Sequence, residues 1–292
     1  MPTQSKKLRR REALTGVLFS SPAIIGISVF FVIPFIYAVY LSFIRSVNIT
    51  GLVGFRNYLD MIQNPTFQLA AWNTARFIFV AVPLIMAFSF IVALLLFKKL
   101  RGTRFFSSVF VFPLVVPVAS VVLFFQIIFD VDGLVNSLLT TLNFAGIDWL
   151  NSEYTFSVLV ILYIWKNCGY NIILFLAALN TIPKEYYEVL SLETNNPFKR
   201  MYHVTLPMIS PYIFFILCIS IINTFKSFRE AFILGGDYPH TSIYMIQHFM
   251  SNNIRNLNYT RMSVAAVLVF IAITILVLIA FRFRTHAGEK DS

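Results

Sequence analysis

The chain has little charge, little cysteine and few acidic residues. Only 12% of its 292 residues are charged, whereas 58% are hydrophobic and the mean hydropathy is +0.76. A soluble domain of this length cannot bury so much apolar surface, so part of that surface must face lipid. Cys168 and Cys218 lie in apolar stretches without the spacing of a metal site or a disulfide framework, which indicates that both are packing residues.

The sequence also lacks the motifs of an enzyme. Its four histidines form no His-x-x-x-His pair, and it contains no phosphate-binding glycine loop and no nucleophile motif. We therefore expect no catalytic residue, no metal site and no cofactor bound by this chain. Any process that consumes energy would need a partner protein.

Long apolar stretches dominate the chain instead. A bilayer core about 30 Å thick needs roughly 20 mainly apolar residues per helix. This predicts an all-α, polytopic membrane protein with six transmembrane helices, at 17–43, 74–97, 105–129, 156–179, 208–225 and 263–281. The predicted division is a basic N-terminus at 1–16, the first span, an extracytoplasmic segment at 44–73, a core at 74–281 and a tail at 282–292.

The distribution of charged residues, which sum to a net charge of +10, agrees with this arrangement of spans. Five basic residues precede the first predicted span, whereas 130–153 carries four acidic residues and no Lys or Arg. Since Lys and Arg concentrate on the cytoplasmic side, both termini are predicted to be cytoplasmic. The lipid bilayer is thus an expected partner, and nucleic acid is not.

The predicted cytoplasmic loop at 182–207 holds the most informative pattern. It predicts two short helices joined by a turn, because Asn195-Asn196-Pro197 is a strong helix stop. Tyr186, Val189 and Leu190 fall on one face of the first of these helices. Taken alone, the pattern also fits an amphipathic helix lying on the inner leaflet.

Glu188, Val204, Leu206 and Pro207 have the spacing of a signature that this loop resembles, that of permeases in binding-protein-dependent ABC importers. The sequence departs from the family pattern in three places. Val189 and Leu190 replace two alanines and Thr194 replaces a glycine, whose backbone freedom we expect Asn195 and Asn196 to supply.

The resemblance extends from about residue 53 to 282 and is most specific for carbohydrate-uptake permeases of the maltose and glycerol-phosphate type, with a MetI-like domain. Further matching motifs are Gly54-Phe55-Arg56-Asn57-Tyr58, Trp165-Lys166-Asn167-Cys168-Gly169-Tyr170-Asn171 and Leu234-Gly235-Gly236. The resemblance implies that the loop contains a coupling helix that docks on an ATPase subunit. The residues assigned to that coupling are Tyr187, Glu188, Val189, Leu190, Glu193, Thr194, Leu206 and Pro207.

The same resemblance implies that the protein lies in the inner membrane of a bacterial or archaeal cell, and it implies a set of partners. They are a second permease subunit in a heterodimer, two cytoplasmic ATPase subunits that hold ATP and Mg, an extracytoplasmic solute-binding protein and a carbohydrate substrate. The mechanism it implies is alternating access of a central cavity.

Polar residues at membrane depth suggest the substrate path. Lys166 lies near the middle of the fourth predicted span, where an unpaired charge costs on the order of 3 kcal/mol. The residues assigned to the path are Gln126, Trp165, Lys166, Asn167, Tyr170, Asn171 and Asn223. An alternative is structural: Lys166 pairs with a carboxylate or helix-end carbonyls, and the amides hold helices together.

The residues alone leave other interpretations of the function open. Arg229 and Glu230, predicted at the outer end of span five, either pair with each other or mark a substrate entrance. A secondary transporter would need carboxylates within its spans, and we expect none there. A polytopic membrane enzyme would need clustered catalytic groups, and Asp130 and Asp132 are the only close acidic pair, with no supporting ligand nearby.

Overall fold

The structure, a computed structural model, describes residues 3–46, 49–97, 103–194, 196–225 and 227–288. It is 83% helical and contains six helical stretches long and apolar enough to cross a membrane, which confirms the predicted fold class. Some residues named above lie outside the described ranges: the first two residues of the basic N-terminus, Asn195 of the predicted turn and the end of the tail.

The chain divides into two compact units, residues 1–63 with 253–270, and 64–252 with 271–292. In the first unit, α1 (Thr3–Ile27), a π-helical turn (Ser28–Val32) and α2 (Ile33–Phe43) follow one another without a break. The π turn lies beside Pro34, whose ring crowds the carbonyl four residues earlier. Strands β1 (Ile44–Ser46) and β2 (Ile49–Leu52) then pair antiparallel, and α3 spans Arg56–Ile62.

The motif around Gly54 closes this hairpin. Gly54 has φ +59°, a left-handed conformation that favours glycine. The Asn57 side chain donates to the carbonyls of Ser42 (2.9 Å), near the end of α2, and Ile44 (2.8 Å), the first residue of β1. The Tyr58 hydroxyl lies 2.6 Å from the Ser42 hydroxyl, so the motif fixes α3 against the end of α2.

The second unit contains the core of the protein. Its helices are α4 (Pro65–Phe97), α5 (Thr103–Val115), α6 (Val118–Phe129), α7 (Leu134–Thr141), α8 (Thr155–Asn180), α9 (Lys184–Glu193), α10 (Pro197–Arg200), α11 (Leu206–Phe225), α12 (Phe228–Gly235) and α13 (Ile246–Arg255). A π-helical turn (Met201–Thr205) joins α10 to α11, a 3₁₀ turn (Thr241–Ile243) precedes α13, and α14 (Tyr259–Gly288) ends the described chain. The core lies between α4 and α8, where Phe77, Ile85, Leu159 and Phe175 are completely or almost completely buried.

The third predicted span is interrupted in the structure. Helices α5 and α6 are separate because Pro117 has ψ 137°, and the residue before a proline is also disfavoured in a helix. By length and composition the third candidate span runs Val118–Thr141 instead of 105–129.

The loop between α8 and α11 also differs from the prediction. Helix α9 is the first predicted short helix, but the second one, α10, continues through the π turn into α11 as one long helical stretch. The predicted apolar face of α9 does not lie against the protein as a whole. Tyr187 and Leu190 pack against the core, whereas Tyr186 and Val189 are 53% and 65% exposed.

Gly169 allows α8 to pack directly against α5. A Cβ at this position would run into the backbone carbonyl of Phe110 and lie 3.0 Å from Cα of Val111. Because backbone atoms cannot rotate away, α5 and α8 would have to separate.

We expect Gly169→Ala to lower the free energy of unfolding by about 1–3 kcal/mol through overpacking, although alanine favours a helix over glycine by about 1 kcal/mol. Thermal unfolding in detergent measures this. The matched control is Gly146→Ala, because its added Cβ would meet only the Asn136 side chain at 3.9 Å. Equal unfolding temperatures for the two variants would contradict the contact between α5 and α8.

Candidate functional site

A cavity of about 850 Å³ opens within the second unit. Its walls come from α8, α11, α12 and the start of α13, with smaller parts from α4, α5 and α6. The polar and charged residues that line it are Tyr163, Lys166, Asn167, Tyr170, Asn171, Ser220, Asn223, Ser227, Arg229, Glu230 and Gln247. This volume is in the range of pockets that enclose one small-molecule ligand.

A buried ion pair lies in the wall of this cavity. Nζ of Lys166, in the middle of α8, lies 2.5 Å from Oε1 of Glu230 in α12, and both side chains are almost fully buried. The carboxylate offsets the cost of burying the ammonium group, and the ammonium group offsets the cost of burying the carboxylate. Lys166 therefore pairs with a carboxylate, as the structural alternative foresaw.

The ion pair corrects two expectations. Glu230 does not pair with its neighbour Arg229, and it is a buried carboxylate at the depth of Lys166, within a candidate span that runs Pro197–Gly235. The sequence argument against a secondary transporter assumed that no carboxylate lies at such a depth, and this assumption was wrong.

Three buried polar atoms in the cavity wall have no hydrogen-bond partner within the described part of the chain. They are Oε2 of Glu230, Oγ of Ser227 and Oε1 of Gln247. Buried polar atoms are nearly always satisfied in folded proteins, by protein, water or a ligand. These three atoms are themselves buried, so they lie behind the surface that the wall presents to the cavity.

The cavity brings together five residues of the predicted substrate path, namely Lys166, Asn167, Tyr170, Asn171 and Asn223. Asn171 donates to the Ser220 hydroxyl at 3.0 Å and so links α8 to α11, whereas Asn167 donates to the Tyr163 carbonyl at 2.9 Å within α8. Whether these residues bind substrate stays a prediction.

The other two predicted path residues lie elsewhere. Nε2 of Gln126 is 3.3 Å from the carbonyls of Ile233 and Leu234, and the Trp165 ring packs against Phe125 at 5.8 Å between ring centroids. Neither lines the cavity described above.

Sequence reasoning missed part of the wall. Ser227 and Gln247 lie in the segment between the fifth and sixth predicted spans, which was predicted to be outside the membrane. The charged pair Arg229-Glu230 was the available signal, but only the fold shows that α12 turns back against α8.

The helix that carries Gln247 is positioned by a fully buried histidine. Nδ1 of His248 accepts from the backbone N–H of Met245 at 3.1 Å, and the ring lies among those of Phe228 and Tyr244. Burial lowers the pKa of His248 to about 4, while Asp237 has a smaller opposite effect. The ring is therefore neutral at physiological pH.

We expect the free energy of unfolding to fall as the pH decreases from about 6.5 to about 4, by up to about 3 kcal/mol from His248 alone. In that window the unfolded chain binds a proton at this histidine and the folded chain does not, so acid favours unfolding. Unfolding followed against pH in detergent measures this slope. His248→Asn should flatten it and the exposed His203→Asn should not; identical slopes for all three proteins would contradict the assignment.

The residues assigned to coupling lie on and around α9. The Tyr187 hydroxyl is 3.0 Å from the Thr205 hydroxyl, which ties α9 to the π turn before α11. The remaining assigned residues divide by exposure: Leu190, Thr194 and Leu206 are half-buried, and Glu188, Val189, Glu193 and Pro207 are exposed. Thus α9 is fixed by one side and presents a mixed acidic and apolar side outward.

Thr194, which replaces the family glycine, does not adopt a backbone conformation that requires glycine. Thr194 has φ −159°, an extended conformation open to any residue. Asn196 has φ −70°, and its side chain accepts from the N–H of Phe198 at 2.9 Å, so it caps α10 and does not adopt the left-handed conformation expected for it.

Comparison with known proteins matches most of the chain. Residues 72–287 match the family described as the binding-protein-dependent transport system inner membrane component. The chain is 34% identical over 222 residues to the arabinooligosaccharides transport system permease protein of Bacillus subtilis (strain 168), covering 74% of this chain and 71% of that one. It is 31% identical to the lactose transport system permease protein of Rhizobium radiobacter, covering 86% of each.

A solved structure shares the fold. The chain is similar to one chain of a bacterial alginate ABC transporter, solved in complex with an alginate pentasaccharide-bound periplasmic protein. The TM-score is 0.82 at 20% identity, over 94% of each chain.

Proposed function

The chain belongs to the family of binding-protein-dependent transport system inner membrane components, and from this premise we propose how its cavity and its outward helix work. It is the permease subunit of an ABC importer. It forms part of the translocation path for a carbohydrate or a related small polar solute, and it couples that path to a separate ATPase.

The observation that carries this proposal is the polar cavity at the depth of the spans. A sugar presents many hydroxyl groups, each of which donates and accepts, and amides, hydroxyls and a carboxylate can satisfy both functions. The relatives named for arabinooligosaccharides and lactose support a carbohydrate as the solute.

Helix α9 is the proposed contact with the ATPase. Tyr187 and Leu190 anchor it to the body of the permease, so a displacement of α9 is transmitted to α11 through the Tyr187–Thr205 contact. Its outward side, which includes Glu188 and Val189, is free to enter a groove of the partner. ATP and Mg would be bound by that partner.

The complete importer would contain a second permease, two ATPase subunits and a solute-binding protein outside the membrane. Both termini of this chain would then be cytoplasmic, as the distribution of Lys and Arg favours. ATP-driven closure of the ATPase subunits would draw the coupling helices together and open the cavity toward the binding protein.

Purification of the tagged protein from its native membranes in mild detergent tests this proposal. We expect an ATPase and a second, related permease to be recovered with it, each identified by mass spectrometry. Recovery of the chain without any ATPase, under conditions that preserve other membrane complexes, would contradict the proposed coupling and favour a self-contained transporter.

A further inference from the structure

We propose that the cavity selects an anionic carbohydrate and that Arg229 is the residue that binds the anionic group. The inference rests on the proposed function, since it specifies the substrate class of the same cavity. It follows from the balance of charges in the wall and from the polar side chains that line it.

The charged groups in the described cavity wall are Lys166, Glu230 and Arg229. Lys166 and Glu230 neutralise each other through their ion pair. Arg229 lines the same cavity, is an exposed residue and has no carboxylate within ion-pair distance among the described residues of the wall. One positive charge of the wall is therefore left uncompensated.

Arginine suits recognition of an oxyanion better than any other side chain. Its planar guanidinium offers several N–H donors in a fixed fork that matches a carboxylate, sulfonate or phosphate, and it is always charged. Glu230, the adjacent acidic residue that could neutralise it, pairs with Lys166 instead.

The uncharged part of a sugar fits the rest of the wall. The Tyr170 hydroxyl and the Asn223 amide belong to partly exposed side chains that line the cavity, and both groups can donate and accept. They would bind sugar hydroxyls while the anionic group binds Arg229. A neutral sugar can satisfy these two groups but leaves the guanidinium hydrated by water.

Glucuronate and glucose provide a matched pair of probes, because they share a pyranose ring and differ by a carboxylate. The complex of the permease with its co-purified subunits is placed in lipid nanodiscs and titrated with each sugar by saturation-transfer NMR. We expect the dissociation constant of glucuronate to be about tenfold lower than that of glucose, as befits a hydrogen-bonded charge pair.

Arg229→Gln should weaken glucuronate binding to the level of glucose and leave glucose unchanged. Arg229→Lys, which keeps the charge without the fork, should retain part of the preference. The matched control is Arg56→Gln, an exposed arginine in the first unit that does not line the cavity, and it should keep the full preference.

Equal affinities for the two sugars in the unmodified complex would overturn the inference, and so would a preference that survives in Arg229→Gln. Either result is obtained with the ATPase present in the complex, so it leaves the importer assignment intact. Failure of the importer assignment would show earlier, as absence of the ATPase from the purified sample.

Discussion

Lys166→Met is expected to destabilise the protein by about 3–5 kcal/mol, the usual cost of removing one partner of a buried ion pair. The substitution leaves the Glu230 carboxylate, which is 4% exposed, without its countercharge, and its second oxygen already lacks a partner among the described residues. Helix α12 would then lose its link to α8. Thermal unfolding in detergent measures the loss.

The double variant Lys166→Met/Glu230→Leu distinguishes the loss of the whole ion pair from the burial of one unpaired charge. Since it removes both buried charges, it should recover most of the stability that Lys166→Met loses. The matched control is Lys184→Met, an exposed lysine at the start of α9, which should unfold like the unmodified protein. A Lys166→Met variant as stable as this control would show that the ion pair does not hold the two helices.

Glu188→Arg is expected to lower the recovery of the ATPase with the tagged permease by about tenfold or more, because it reverses a charge in the middle of the proposed interface. Glu188 is exposed on α9 and its side chain supports no contact within the described permease residues, so the permease itself should fold normally. Quantitative mass spectrometry of the purified complex measures the ratio of ATPase to permease.

Glu153→Arg is the matched control for this experiment. Glu153 is also exposed, but it lies between α7 and α8 in the segment predicted to be outside the membrane. It should leave the ATPase ratio unchanged. Equal loss in both variants would indicate a general effect of added positive charge, and no loss in either would contradict the docking of α9.

The sequence predicted the parts of the fold that depend on local composition. Length and hydropathy are enough to find membrane helices, whereas the coupling role that the spacing around Glu188 indicates stays a prediction. The interruption at Pro117 follows from the same local rules and could have been predicted, since proline cannot continue a helix.

The parts that were missed depend on contacts between distant residues. Glu230 and Lys166 are separated by 64 positions, and no periodicity reveals that α12 turns back to bring them together. The same contact decides that Arg229 has no carboxylate partner within the described chain. The amphipathic spacing of α9 does not decide which of its faces packs on the protein. In the structure, the face with Tyr187 and Leu190 packs against the core.

The most direct test of the account is solute accumulation in proteoliposomes that contain the purified complex and its solute-binding protein, with labelled oligosaccharides supplied on the binding-protein side. The account predicts accumulation that requires ATP on the side of the ATPase and is lost in Glu188→Arg. Accumulation driven by an ion gradient without ATP would contradict it, and would assign the buried Lys166–Glu230 pair to a secondary transporter instead.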